Sequence, residues 1–247
     1  MLELVHVRTI GSGPRVVLVH GSVGNGRSTW AAQLELADRF TLVIPDRPGS
    51  PPNPPVERVD FEEHAPLVAE LLGDGAHLVG HSYGGVISLY AAGLRPEAAR
   101  SLTVIEPPAF GIARDDPAVL ALMTELEPLW SDEAPDDPAV FLSRFSSAVI
   151  GRRVSPQPEL SPELQQGVRT LMVERGPWEA DPPLDALRAT PFPKLVVSGA
   201  HSAAFDAVCD VLERRLDAER AVLPGAQHSA QRAPGFNETL ARFLSRG

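Results

Sequence analysis

The sequence predicts a doubly wound α/β fold with a mostly parallel, buried sheet, and three observations carry the prediction. Short apolar runs alternate with longer amphipathic stretches along most of the chain, the order expected of repeated strand-helix units. The runs are continuous rather than alternating in polarity, as strands covered on both faces are. This rhythm stops after Ile105 and resumes only at Phe192, which predicts a helical insertion between two strands. The chain therefore divides into a core of residues 1–106 and 191–247 and an inserted helical segment, 107–190.

Taken in order, the expected strands are Arg15–His20, Thr41–Ile44, Ala76–Gly80, Ser101–Ile105, Lys194–Ser198 and Glu219–Leu223. Helical patterns are expected at Trp30–Arg39, Phe61–Leu72, Gly84–Arg95, Phe205–Leu216 and Gly235–Leu244. Within the insertion, "PAVLALMTELEPLW" and "SPELQQGVRTLMVERG" carry apolar residues at helical spacing. Their apolar positions, Leu122, Met123, Leu126, Trp130, Leu171, Met172 and Trp178, are expected to be packing positions rather than ligand contacts.

At 247 residues the chain can bury one large core. Its net charge of −10, with no stripe of basic residues, argues against a nucleic-acid partner. The single cysteine, Cys209, excludes an intrachain disulfide and is expected in the core. The N-terminus lacks a basic start followed by a long apolar run, and no apolar stretch approaches the roughly 20 residues of a membrane span. A cytoplasmic protein with no membrane partner is the expectation.

Chemistry enters at "HLVGHSYGGVISLYAAG", which sets Gly80-His81-Ser82-Tyr83-Gly84 between an apolar strand and an alanine-containing helix. This is a G-x-S-x-G nucleophile elbow in its required context. The tight turn projects the serine hydroxyl, and the following helix presents N–H groups and a positive dipole end to any negative charge that forms there. A serine hydroxyl needs a base, so a downstream histidine at the end of a later strand is required. His228 meets this, following the last expected strand through a Pro224-Gly225 turn. Of the other histidines, His6 and His77 fall in or near strands and His64 in a helix. His20 and His81 adjoin the motif loops, and His201 lies in a loop after a strand.

The elbow resembles that of the α/β-hydrolase superfamily, and the resemblance runs from the N-terminal loop through Ser82 to His228, nearly the whole chain. It implies an α/β-hydrolase fold with a helical lid and a carboxylate that orients His228. In many members that acid follows the strand that here is Lys194–Ser198, but this sequence has Ser202 where an aspartate is common, and Asp206 lies further along. Other members carry the acid one strand earlier, and here "SLTVIE" ends in Glu106-Pro107-Pro108. Glu106 is the favoured acid and Asp206 the alternative; the order Ser82, Glu106, His228 is the one this fold uses.

A further stretch, "HGSVGNGRS", nearly fits a phosphate-cradling loop, with Gly21 and Gly26 five apart and a basic residue and a serine after them. Arg27 stands where that loop needs a lysine, and a planar guanidinium does not replace a compact ammonium. His20-Gly21 instead resembles the superfamily's histidine-glycine signature, and Asp46-Arg47-Pro48-Gly49-Ser50 its loop after the next strand. The resemblance implies that the backbone N–H groups of Ser22 and Tyr83 form an oxyanion hole and that Asp46 supports loop structure.

The expected activity is hydrolysis of a carboxylic ester or lactone through an acyl-enzyme, without metal or organic cofactor, on a small molecule with an apolar portion. Serine at the elbow sets this chain apart from the superfamily's haloalkane dehalogenases and epoxide hydrolases, which use aspartate there. C–C bond hydrolases, thioesterases and peptidases share the serine, and a non-catalytic binding module retains the fold.

Overall fold

The computed structural model describes residues 5–246. Its seven strands are β1 (Val7–Ile10), β2 (Arg15–Val19), β3 (Thr41–Pro45), β4 (Ala76–His81), β5 (Ala99–Ile105), β6 (Lys194–Ser198) and β7 (Glu219–Val222). They form one sheet in the order β1-β3-β2-β4-β5-β6-β7. Only β1 runs antiparallel, against β3. All six expected strands are present. β1 escapes the sequence reading because "VRTI" lies at the sheet edge, half-buried, and so carries no continuous apolar run.

The helices that flank the sheet follow from the alternation of strand side chains. Val17 and Val19 of β2 and Val104 of β5 face a core shared with α2 (Phe61–Leu71), α3 (Tyr83–Leu94) and α8 (Ala203–Leu216). Val16, Leu18 and Ile105 face the other core, with Trp30, Phe40 and α9 (Phe236–Leu244). Helix α3 is buried on nearly every side, in keeping with its alanine, glycine and aliphatic sequence. Cys209 is buried, as expected, in α8.

One helical expectation is corrected. Trp30–Arg39 is not an α-helix; a four-residue helix α1 (Gly26–Thr29) is followed by 3₁₀ turns over Ala31–Asp38. The residues turned inward are Trp30, Gln33 and Leu36, spaced by three. Side chains three apart eclipse in a 3₁₀ helix, so that spacing suits it better than the 3.6-residue period.

Between β5 and β6 the chain builds α4 (Pro117–Leu126), α5 (Pro138–Ile150), α6 (Pro162–Met172) and α7 (Leu184–Arg188). Three of the prolines that interrupt this region in sequence are α-helix starts. Asp116, Asp137 and Ser161 cap α4, α5 and α6, and each is followed by proline at the first helical position.

Strand β3 lies on one side of β2 and β4 on the other. The strand order therefore reverses between β2 and β4, and the loops that leave their carboxyl ends part there. Ligand crevices of open α/β sheets form at such points.

Candidate active site

Ser82 sits between β4 and α3 with φ 54 and ψ −128, a positive φ that a non-glycine residue adopts only under strong constraint. The constraint is packing: a Cβ on Gly84 would lie 2.4 Å from the carbonyl oxygens of both Val19 and His20, so the elbow presses directly on β2. The Ser82 N–H also continues the sheet ladder to the Ile105 carbonyl at 2.9 Å. The hydroxyl is thus carried on rigid backbone at the crevice.

His228 Nε2 lies 2.9 Å from Ser82 Oγ, and its Nδ1 lies 3.1 Å from Glu106 Oε2. Glu106 is wholly buried, and its N–H is tied to the Val197 carbonyl at 2.9 Å. Its other oxygen, Oε1, accepts the Gly199 N–H at 2.5 Å. Burial alone would raise the Glu106 carboxyl, but His201, His228 and the Gly199 N–H outweigh it and hold the group down at about 2. Asp206, the alternative acid, faces Arg220 at 3.4 Å instead. His81 donates from Nε2 to the His228 carbonyl at 2.9 Å, and burial, with His228 nearby, drives its own imidazole down to about 3. The Phe205 ring packs on the His228 ring with centroids 4.6 Å apart.

The loop after β2 approaches the serine closely: a Cβ on Gly21 would come within 2.7 Å of Ser82 Cβ. Ser22 and Tyr83 both line the cavity that Ser82 and His228 border, whereas Val23 does not. No hydrogen bond of the Ser22 or Tyr83 backbone N–H is found among the described residues. The residues of the phosphate-loop alternative are engaged with one another. Asn25 caps α1 through the Ser28 N–H, Ser28 answers on the Asn25 N–H, and Arg27 is exposed. Asp46 accepts the Gly26 N–H at 2.7 Å and contacts His6 Nδ1 at 2.7 Å, so it fastens loops together as expected.

Three contributors were not predicted as site residues. Glu174, just beyond α6, is buried and accepts the Ser22 hydroxyl at 2.5 Å and the Arg47 guanidinium at 2.7 Å. Burial raises the Glu174 carboxyl, against the opposing pull of Arg47 and Ser22. Arg47 also donates to the Gly21 carbonyl at 2.9 Å and lies over the Tyr83 ring. His201 places Nδ1 3.0 Å from the same Glu106 oxygen that His228 meets. These links join residues distant in sequence, and each residue alone reads as surface or loop.

The cavity, of about 30 Å³, is bordered by Ser22, Ser82, Tyr83, Glu174 and His228 at its polar end. Its apolar walls include Phe110, Leu126, Trp130, Phe145, Val149, Leu171, Trp178 and Phe205. Four insertion positions expected only to pack, Leu126, Trp130, Leu171 and Trp178, therefore also face the site. The periodicity that buries a residue cannot tell an interior from a cavity wall. Glu106, His201 and His228 offer three donor atoms within 4.8 Å of one another. His228 Nδ1 is hydrogen-bonded to Glu106 Oε2, and a hydrogen-bonded Nδ1–H leaves no lone pair for a cation at that nitrogen.

A mostly parallel seven-stranded sheet bearing a serine elbow at the strand-order reversal defines the α/β-hydrolase class of fold. Residues 16–236 match the Alpha/beta hydrolase family, and the chain belongs to it. It is 34% identical over 99 residues to the pimeloyl-[acyl-carrier protein] methyl ester esterase of Chromobacterium violaceum, covering 40% of this chain and 39% of that protein. The chain thus matches about two fifths of that relative's length. Along 98% of this chain and 92% of the relative it is 25% identical to a 2-hydroxy-6-oxo-6-phenylhexa-2,4-dienoate hydrolase of Burkholderia cepacia. The crystal structure of an alpha/beta hydrolase from Sphaerobacter thermophilus superposes with a TM-score of 0.71 at 23% identity, covering 97% of this chain and 96% of that one. Among the described residues no helix is long and apolar enough to cross a membrane.

Proposed function

We propose that the protein is a serine hydrolase that cleaves a carboxylic ester or lactone through an acyl-enzyme. The observation that carries this reading is the unbroken chain Ser82 Oγ, His228 Nε2, His228 Nδ1, Glu106 Oε2, with contacts of 2.9 and 3.1 Å. In this reading His228 accepts the Ser82 proton as Oγ attacks the carbonyl carbon, and Glu106 orients the ring and stabilises the imidazolium. The Ser22 and Tyr83 amides receive the oxygen as it gains charge, an interaction worth roughly 3–4 kcal/mol per donor. Protonated His228 then releases the alcohol, and the same imidazole activates the water that frees the acid.

The cavity supports a substrate with an apolar portion. Its described walls are apolar apart from the polar end, which carries the Glu174 carboxylate and no arginine or lysine. The helices of the inserted segment supply much of that wall, which supports reading residues 107–190 as a lid.

A fluorophosphonate probe and a series of p-nitrophenyl esters test this directly. The probe labels the wild-type protein and not Ser82→Ala. Across short esters kcat/KM climbs roughly fourfold per added methylene, about 0.8 kcal/mol each, until the cavity is filled. Labelling that survives Ser82→Ala, or no ester turnover in the wild type, overturns the reading.

A further inference from the structure

Two imidazoles converge on one oxygen of Glu106. His228 Nδ1 is 3.1 Å and His201 Nδ1 3.0 Å from Oε2, while Oε1 is held by the Gly199 N–H. His201 follows β6, its side chain is only 6% exposed, and its second nitrogen, Nε2, lies 3.1 Å from the Val149 carbonyl. Val149 stands in the last turn of α5, a helix of 13 residues, and also lines the cavity. Carbonyls of a helix's last turn lack partners within the helix and carry the negative end of its dipole.

Nε2 is hydrogen-bonded to the Val149 carbonyl, whereas Nδ1 lies at ion-pair distance from Glu106 Oε2 without the alignment of a hydrogen bond. With its one N–H on Val149, a neutral imidazole sets the Nδ1 lone pair against the carboxylate; an imidazolium keeps the Val149 bond and sets a positive charge there instead.

We propose that His201 is a positioning residue for the triad, a doubly protonated imidazole that clamps Glu106 Oε2 alongside His228 and ties it to α5. The proposal rests on the reading of Ser82, His228 and Glu106 as a catalytic triad.

The charges around the ring agree with it. Glu106, just after β5, and Asp206, from α8, face His201, and His228 packs against it with ring centroids 5.7 Å apart. The Phe205 ring, 5.4 Å away, closes the apolar side. Burial opposes the charge on His201, but Glu106, the Val149 carbonyl and Asp206 outweigh it and raise the group above its ordinary value.

The clamp has a consequence for catalysis. A fixed cation beside the shared carboxylate repels a second positive charge on His228, so the base stays free, and the enzyme active, at lower pH than a lone His-Glu pair allows. His201→Asn keeps a donor near the Nδ1 position and removes the charge. His201→Ala removes both.

Turnover of a p-nitrophenyl ester against pH, with imidazole ¹⁵N shifts of the wild-type protein, decides the matter. In both variants the acid limb of kcat/KM moves to higher pH, by about one unit for a unit charge at this range. Plateau kcat stays within about threefold for His201→Asn and falls roughly tenfold for His201→Ala, because only the latter opens space beside Glu106 Oε2 and loosens its placement. In the wild type both His201 nitrogens are protonated at pH 6. An acid limb unmoved in both variants, or a His201 with one protonated nitrogen at pH 6, overturns the clamp. The ¹⁵N result judges the clamp whether or not any ester is turned over. Absence of turnover with a doubly protonated His201 would sink the hydrolase reading and spare the clamp.

Discussion

Glu106 shows how much chemistry one buried carboxylate can gain from its backbone. It adopts φ 49 immediately after β5 and is followed by Pro107 and Pro108, which limit how the chain can leave the strand. That geometry turns the side chain toward the ends of β6 and β7 instead of outward. Glu106→Gln removes the charge that stabilises the His228 imidazolium while conserving shape. We expect kcat to fall by about 10³–10⁴, the scale seen when a triad acid becomes an amide. Asp206→Asn, whose carboxylate pairs with Arg220 of β7 at 3.4 Å, should change kcat less than about twofold. Steady-state rates on one p-nitrophenyl ester compare the two, and a larger loss at Asp206 would reverse the assignment. Ser82, His228 and Glu106 were legible in sequence because motif, strand end and chain order constrain each of them. His201 was not, since a loop histidine has no pattern of its own. Its meaning comes from Glu106, 95 positions earlier in the numbering.

At the scale of elements, the seam between α6 and the core loops sets the site's polar end. Thr170 donates to the Gly49 carbonyl at 2.7 Å, and Gln166 donates to Gly49 and Asn53 at 3.0 and 2.7 Å. Beyond the helix, the Val59 N–H bonds to the Val173 carbonyl and the Arg175 N–H to the Val59 carbonyl, so the chain there docks like a short strand. Glu174 sits within this docked stretch, and its buried pair with Arg47 is 2% exposed on both sides. Removing one partner of such a pair leaves the other charge uncompensated, a loss of about 3–5 kcal/mol. Glu174→Ala is therefore expected to lower the melting temperature by roughly 10 °C in a domain of this size, measured by calorimetry. It also frees the Ser22 hydroxyl, so fluorophosphonate labelling of Ser82 should slow in the same variant. A melting temperature within a degree or two of wild type would show that the pair does not secure this seam. The helical periodicity of "SPELQQGVRTLMVERG" revealed α6, but a glutamate at a helix tail reads as solvent-facing. Its partners lie 127 and 152 residues away.

Across the whole molecule, burial of histidine links stability to pH. His20, His64, His77 and His81 are all buried. Burial drives His64 and His77 from 6.5 down to about 4, with Arg47 and Arg100 adding to the effect. Burial likewise drives His81 down to about 3 and His20 well below its ordinary value. Each is therefore neutral in the folded protein and takes up a proton more readily when unfolded. Between about 4 and 6.5 the unfolded chain binds more protons than the native state, so stability rises with pH across that window and is lost as pH falls through it. The loss approaches about 1.4 kcal/mol per pH unit for each such group. Glu106 works in a different window. Its carboxyl is held at about 2 against an ordinary 4.5, so its contribution is complete above 4.5 and is lost only as pH falls toward 2. Acid weakening that begins near pH 6.5 thus belongs to the histidines and not to the carboxylate. The midpoint of urea unfolding should fall steadily from pH 7 to pH 5. His64→Leu, which removes an imidazole whose Nδ1 has no partner among the described residues, should flatten the slope by the contribution of one proton. A midpoint that stays level over this range would mean that the native protein accepts these protons without unfolding, and that the interior around the sheet is less closed to charge than its packing implies.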